Sequence, residues 1–221
     1  MDFPEFFDRA PAVTLRDPLA AFLGVIPTGL LQYRYGDAVR LAGHSCPTVA
    51  GAWLMLCHGL RRLYGPEPPE RGGIAVHLQG AADEGVTGVI GSVAQLVTGA
   101  APESGFGGIG AAARFARRGL LRYGAAIPAL MGLRRLDSGA GVLLDLDAAA
   151  VPAAPELPPL FARALNGVAS AGEAQRFGRL WQERVERMLT GPAGDAALVR
   201  RRDWPQSGHA GAGAMAPAAR G

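Results

Sequence analysis

The sequence contains only two cysteines, Cys46 and Cys57, among its 221 residues. Within one helix their separation of eleven positions would place their Cα atoms about 16 Å apart, at ~1.5 Å per residue. A disulfide requires Cα atoms within roughly 7 Å. An intrachain disulfide is therefore excluded if one helix carries both residues. Because unpaired cysteines are typical of reducing compartments, the sequence predicts a cytoplasmic location.

The chain also lacks the apolar segments that secretion and membrane insertion require. Met1 is followed by acidic and aromatic residues rather than by a basic segment and an apolar core, so no signal peptide is predicted. The stretch from Leu41 to Leu60 is the most apolar, but histidine, serine, proline and threonine interrupt it. No uncharged run reaches the ~20 residues of a membrane span. We therefore expect no membrane association.

Aromatic residues are scarce at 7%, and the basic residues are all arginines. The arginines are scattered and often paired, as in Arg61-Arg62 and Arg134-Arg135, and the formal net charge is only +3. A nucleic-acid surface would need such pairs on one face together with stacking aromatic side chains. We therefore interpret the arginines as a solvated surface and expect no nucleic-acid partner.

Hydrophobic residues, by contrast, make up 49% of the chain, which is enough for a sizeable core. The length fits one large domain, with or without a small appendage. We predict a single α+β domain over residues 1–195. From residue 200 onward the chain has three arginines and then a segment rich in Gly, Ala, Pro and Ser, and this composition predicts a disordered tail over residues 200–221.

The strongest periodicity predicts a helix from Pro47 to Tyr64, in which apolar residues recur at steps of three and four before Gly65 ends the pattern. Its first two-thirds is apolar on nearly every side, so we expect it to be buried in the middle of the fold. A mixed or antiparallel sheet should pack around it, with additional helices at both ends. Strands are predicted at Leu31 to Tyr35, Ile74 to Leu78, Arg114 to Leu121 and Gly141 to Leu146, and helices at Asp37 to Leu41, Val86 to Thr98 and within Leu160 to Leu189.

The motif Gly43-His44-Ser45-Cys46-Pro47 lies immediately before the long helix. Pro47 suits the first helical position and pushes Cys46 toward extended geometry, which is the backbone state of an N-cap residue. The positive end of the helix dipole there favours a thiolate. A thiolate and a nearby imidazole can bind a metal such as zinc, or can act as catalytic nucleophile and base. A third interpretation is that His44 and Cys46 only pack.

These residues resemble the family of the E-type subunit of formylmethanofuran dehydrogenase. The resemblance rests on the His-x-Cys-Pro motif before a Gly51-containing apolar helix, and on a helix ending in a Thr-Gly turn at Gly91 to Gly99. A glycine-rich loop, Gly105 to Gly110, and a closing helix, Leu180 to Leu189, complete it, so it covers roughly residues 17–189. The resemblance implies an α+β domain, a homodimer, and a metal-associated cleft that uses His44 and Cys46.

The chain departs from that family at three positions. Family members often have a Cys and an Asp where Val89 and Ser92 stand, and a Cys where Ala100 stands. Many also carry a C-terminal zinc ribbon built from Cys pairs, which this chain lacks. The departures imply a divergent branch with fewer protein ligands or a different chemistry.

Two ligands do not make a structural zinc site, which takes four, so we expect a third ligand and open positions for water or a small-molecule substrate. His77 is the best third ligand by elimination, because His58 lies about 18 Å along the helix from Cys46. The sequence therefore predicts a divalent transition metal, with zinc favoured, held by His44, Cys46 and His77.

Other polar residues are candidates for the same pocket. Asp83 or Glu84 could supply a carboxylate as general base. Further residues that could line the pocket are Thr87, Ser92, Gln95 and Thr98. A different class of function also fits the sequence, namely a non-catalytic accessory or interaction protein that keeps the fold without the chemistry.

Overall fold

The computed structural model describes residues 3–191 and 197–205. The elements in this part of the chain are α1 (Phe6–Arg9), β1 (Val13–Arg16), α2 (Pro18–Phe22), β2 (Leu30–Tyr33), α3 (Tyr35–Ala42), α4 (Pro47–Tyr64), β3 (Ile74–Leu78), α5 (Thr87–Thr98), β4 (Leu121–Arg122), β5 (Met131–Arg135), β6 (Gly141–Leu146), a 3-10 turn (Ala148–Ala150), α6 (Leu157–Leu165), α7 (Ala171–Thr190) and β7 (Val199–Trp204). No helix within the described ranges is long and apolar enough to cross a bilayer.

The strands form two sheets, a β1-β2 hairpin and a five-stranded sheet in the order β4-β3-β5-β6-β7. The larger sheet is antiparallel except for the parallel pair β3-β4. Helix α4 packs against β5, β6 and β7 on one side and against α3, α5 and α7 on the other. The structure thus confirms an α+β fold with a mixed sheet around a long buried helix.

Helix α4 begins and ends at the predicted residues because its local signals agree with its tertiary contacts. Cys46 is the N-cap, with φ −150° and ψ 167°, and its sulfur accepts a hydrogen bond from the Val49 N–H at 3.5 Å. Two glycines of α4, Gly51 and Gly59, let the helix approach the sheet closely. A Cβ at Gly51 would lie 2.2 Å from a methyl carbon of Leu146, so a larger residue there would separate helix from sheet.

A buried ion cluster, which the sequence analysis missed, ties together three distant segments. The Asp17 carboxylate accepts hydrogen bonds from Arg71 at 3.0 Å and from Arg117 at 2.8 Å, and it also caps α2 through the Leu19 N–H. Burial opposes ionisation of Asp17, but the hydrogen bond from Arg71 and the charge of Arg117 outweigh it and lower the pKa of the carboxyl. The cluster joins the N-terminal arm, the loop after α4 and the segment between the glycine-rich loop and β4.

Two predictions about secondary structure are wrong. The expected strand from Arg114 to Leu121 is reduced to Leu121–Arg122, because residues 115–120, which come after the glycine-rich loop, form turns and irregular backbone. Residues 200–204 form most of β7, the last strand of the sheet, rather than the start of a disordered tail, because β6 supplies their hydrogen-bonding partner. The rest of the predicted tail, residues 206–221, lies outside the described residues.

Candidate functional site: the His44 groove

The turn between α3 and α4 is held in place from two sides. Gly43 ends α3 with a φ of 76°, in the left-handed region that glycine adopts readily. The Ser45 carbonyl accepts hydrogen bonds from the side chains of Trp181 and Gln182 on α7, each at 3.1 Å. The Ser45 hydroxyl lies 2.9 Å from the hydroxyl of the buried Tyr35. These contacts fix the backbone of the turn at Ser45. They therefore also set the directions in which the side chains of His44 and Cys46 leave the backbone.

Burial raises the pKa of Tyr35 above its ordinary value, so its hydroxyl stays protonated at neutral pH. This phenol supports the turn from the core side and is completely buried. It therefore has a structural role at the turn rather than a part in proton transfer with the groove.

The imidazole of His44 is exposed and has a fixed orientation. Its Nδ1 lies 2.9 Å from the Ala42 carbonyl oxygen. Because a carbonyl only accepts, Nδ1 carries the proton in this contact, and Nε2 of the neutral ring presents its lone pair. Proteins commonly orient a metal-binding histidine in this way, through a hydrogen bond from the ring nitrogen that does not bind the metal.

His44 lies at the edge of a groove of about 430 Å³ between the turn, the loop before α5 and the first turns of α5. Asp83 lines the same groove, is exposed, and makes no hydrogen bond or ion pair within the described part of the chain. The Glu84 carboxylate is already bonded to the Ala81 N–H at 3.0 Å. The groove is also lined by Leu41, Ala42, Ala82, Gly85, Gly88, Val89, Ser92 and Val93.

Val89 and Ser92, which stand where members of the resembled family often have a Cys and an Asp, both line this groove. The hydroxyl of Ser92 donates to the Gly88 carbonyl at 2.9 Å, as is common for serine within a helix. Of the four polar residues expected at the pocket, only Ser92 lies there. Thr98, for example, is fully buried, and its hydroxyl bonds to the Ala94 carbonyl at 2.7 Å.

Cys46 does not line the groove. Its sulfur caps α4, and its side chain is partly buried against the main core. Both cysteines are free thiols. Burial raises the pKa of the Cys57 thiol to about 12, so Cys57 is protonated at neutral pH and serves as a packing residue, as its position within the helix predicts.

His77 lies on the opposite face of the sheet from α4. It alternates with Val76, whose cross-strand partner Leu133 faces α4 near Gly59. The His77 ring instead contacts the Trp204 ring edge-on, with centroids 5.0 Å apart. The structure therefore does not bring His77 together with His44 and Cys46, because strand alternation turns it away from the start of α4. Residues 3–191 and 197–205 contain no group of three or more His, Cys, Asp or Glu side chains placed to share a metal.

The environment of His77 predicts a pH dependence of stability. Burial, followed by the charges of Arg122 and Arg134, lowers the pKa of His77 below its ordinary value of about 6.5. Above the ordinary pKa of about 6.5, neutral His77 makes its full contribution to the unfolding free energy. As the pH falls below that value, the unfolded chain takes up a proton at His77 that the folded chain does not, so the unfolding free energy decreases. We expect His77→Gln to flatten the decrease in unfolding free energy between about pH 7 and pH 5, measured by urea denaturation. A decrease as steep as in the wild type would contradict this assignment.

Neither a protein-family model nor a curated protein matches this sequence. The resemblance to the E-type subunit of formylmethanofuran dehydrogenase therefore stays a prediction. The groove is defined by its own residues, namely a histidine whose Nδ1 contacts a backbone carbonyl and a carboxylate that has no partner among the described residues.

Proposed function

We propose that this protein binds a divalent transition metal, with zinc favoured, in the His44 groove. Nε2 of His44 is the first ligand and the Asp83 carboxylate supplies an oxygen ligand or a general base. The observation that carries the proposal is the hydrogen bond from Nδ1 of His44 to the Ala42 carbonyl. It leaves Nε2 available to bind a metal ion at the groove. The free thiols of both cysteines support a reducing, cytoplasmic location.

Cys46 belongs to the same turn, but its sulfur caps α4 and lies outside the groove, so it becomes a third ligand only if its side chain rotates away from the Val49 N–H. Its sulfur lies at the start of α4, where the helix dipole favours a negatively charged ligand. With two or three protein ligands, the remaining coordination positions are open to water and to a small-molecule substrate, and a metal held in this way polarises a carbonyl or activates water. The chain's own part is to hold the metal at the groove and to place Asp83 beside the substrate as proton acceptor.

Two measurements on the purified chain test the proposal: calorimetry measures zinc binding during a titration, and elemental analysis measures the zinc content. We expect about one zinc per chain in the wild type, and binding weakened by at least 10- to 100-fold in His44→Ala, since even partners of metal ligands have effects of that size. Asp83→Asn should weaken binding as well. Cys46→Ala decides whether the thiolate is a ligand.

His77→Ala is the matched control, because it removes an imidazole on the other face of the sheet and should leave zinc binding unchanged. Equal zinc binding by the wild type and His44→Ala, with both proteins folded by circular dichroism, would contradict the proposal. Rapid alkylation of Cys46 in metal-free protein would instead support the alternative in which this thiol is the nucleophile.

The second candidate function is a non-catalytic accessory or interaction protein. It is favoured by exposed apolar side chains at and after α6, where Phe161, Leu165 and Val168 are 42%, 72% and 58% exposed. Phe161 stacks on Trp181, the residue that also holds the Ser45 carbonyl. Metal-free protein that elutes at twice the monomer mass would favour this function, with a second copy as the partner that the family resemblance implies.

A further inference from the structure

The outer edge of β7 is a strand edge that has no partner in the part of the chain that the structure describes. β7 is the last strand of the five-stranded sheet, and within residues 3–191 and 197–205 no other strand pairs with it beyond β6. A strand edge presents N–H and C=O groups that can pair with an extended segment of another chain. The side chains of β7 therefore indicate which kind of segment can add to it.

The strand carries three consecutive arginines, Arg200, Arg201 and Arg202, all exposed. Arg201 faces α4, where its guanidinium lies 3.4 Å from Nδ1 of His58. Arg200 and Arg202 face the other side of the sheet, beside Asp145. A groove of about 710 Å³ is lined by Asp145 of β6 and by residues 199–202 of β7.

The positive charge along this groove is not balanced by its single acid. One oxygen of Asp145 accepts a hydrogen bond from Arg202 at 2.8 Å, and the other accepts one from the Leu130 N–H at 3.0 Å. Both oxygens of Asp145 are thus engaged. The side chain of Arg200, its cross-strand neighbour, makes no hydrogen bond or ion pair with any residue that the structure describes. The groove therefore favours a ligand that brings carboxylates.

Two other occupants fit less well. A second copy paired through the same strand would bring six arginines and two aspartates together, with a net positive charge on each side. Single-stranded nucleic acid would need a free aromatic ring for base stacking. Trp204 does not offer one, because the Arg134 guanidinium lies 3.9 Å from its ring centroid and His77 contacts the same ring.

We propose that β7 is a docking edge for an extended acidic segment of a partner protein. The segment adds to the sheet as a sixth strand, main-chain hydrogen bonds hold it in place, and its alternate carboxylates pair with Arg200 and Arg202. This interaction is independent of the His44 groove, because none of the residues that line that groove belongs to β7.

The test uses the full chain and a fluorescein-labelled peptide of about ten residues with alternating Glu and Val. Fluorescence anisotropy measures binding of the peptide. We expect binding of this peptide and none of a Lys-Val peptide of the same length. A Glu-Pro peptide has the same charge but lacks alternate N–H groups, so it should bind at least 10-fold more weakly. Hydrogen exchange at the amides of β7 should slow when the Glu-Val peptide binds. These comparisons use the unmodified protein and do not depend on the folding of a variant.

The variant Arg200→Glu/Arg202→Glu should weaken binding of the Glu-Val peptide at least 10-fold. Its matched control is Arg118→Glu/Arg179→Glu, which changes the net charge equally at exposed arginines outside β7 and should bind like the wild type. Equal binding of the Glu-Pro and Glu-Val peptides would overturn strand addition. Tighter binding of a single-stranded oligonucleotide of similar length would overturn the choice of an acidic protein segment.

Discussion

Replacing Asp17 with asparagine is expected to lower the free energy of unfolding by about 3–5 kcal/mol, the usual cost of breaking a buried ion pair from one side. Asp17 is only 4% exposed, and it accepts hydrogen bonds from Arg71 and Arg117. The amide has nearly the same shape but no charge, so Arg117, which is 7% exposed, would lose its hydrogen-bonded counterion while staying buried. Urea denaturation at neutral pH measures the change.

Asp137→Asn is the matched control for this effect. The Asp137 carboxylate also binds an arginine, Arg135, at 2.6 Å, but its side chain is 63% exposed. Ion pairs in such positions contribute about 0–1 kcal/mol, so we expect a change within that range. Similar losses in the two variants would show that burial does not determine the strength of the Asp17 cluster.

The Asp17 cluster also sets part of the acid sensitivity. Because the pKa of Asp17 is lowered in the folded chain, its contribution is complete above the ordinary carboxyl value of about 3.9 and is lost as the pH falls through the folded value. The acid unfolding of Asp17→Asn should lack this component.

Replacing Trp53 with alanine is expected to destabilise the protein by about 3–5 kcal/mol, as for other large buried aromatic residues. Trp53 is fully buried in the middle of α4, and its indole N–H donates to the Pro11 carbonyl at 2.9 Å. The substitution therefore leaves a cavity and also removes the hydrogen bond that connects α4 to the N-terminal arm. Thermal and urea denaturation measure the loss.

Trp53→Phe separates the two causes in part, because it keeps a buried aromatic ring and so leaves a smaller cavity, while it removes the indole N–H. We expect it to cost clearly less than Trp53→Ala, about 1–3 kcal/mol, for the lost hydrogen bond together with the smaller cavity. If Trp53→Ala lost less than about 1 kcal/mol, Trp53 would not be a central core residue, contrary to the structure.

The sequence determined the elements whose signals are local. Pro47 and Gly65 set the bounds of α4, and Cys46 caps it as its position before Pro47 predicts. The strand from Ile74 to Leu78 follows from alternation alone. These signals act within a few residues along the chain, so they can be read without knowing the fold.

The sequence also selected His44 as a candidate ligand, but the third ligand it indicated, His77, was chosen by elimination along the chain. Only the sheet topology decides that His77 faces away from α4 and contacts Trp204, more than a hundred residues later. Asp83 was one of two equal candidates. The tertiary structure separates them, because Glu84 is engaged by the Ala81 N–H and Asp83 lines the groove.

The local sequence placed His44 and Cys46 two residues apart, and only the tertiary structure decided where each side chain points. Trp181 and Gln182 fix the intervening Ser45 carbonyl from α7, at separations of 136 and 137 residues. Likewise, β7 exists because β6 pairs with it, although its three arginines do not have the pattern of a strand. A residue's own propensities act over one or two turns of chain, whereas strand pairing and anchoring by a distant helix depend on contacts that form only in the folded protein.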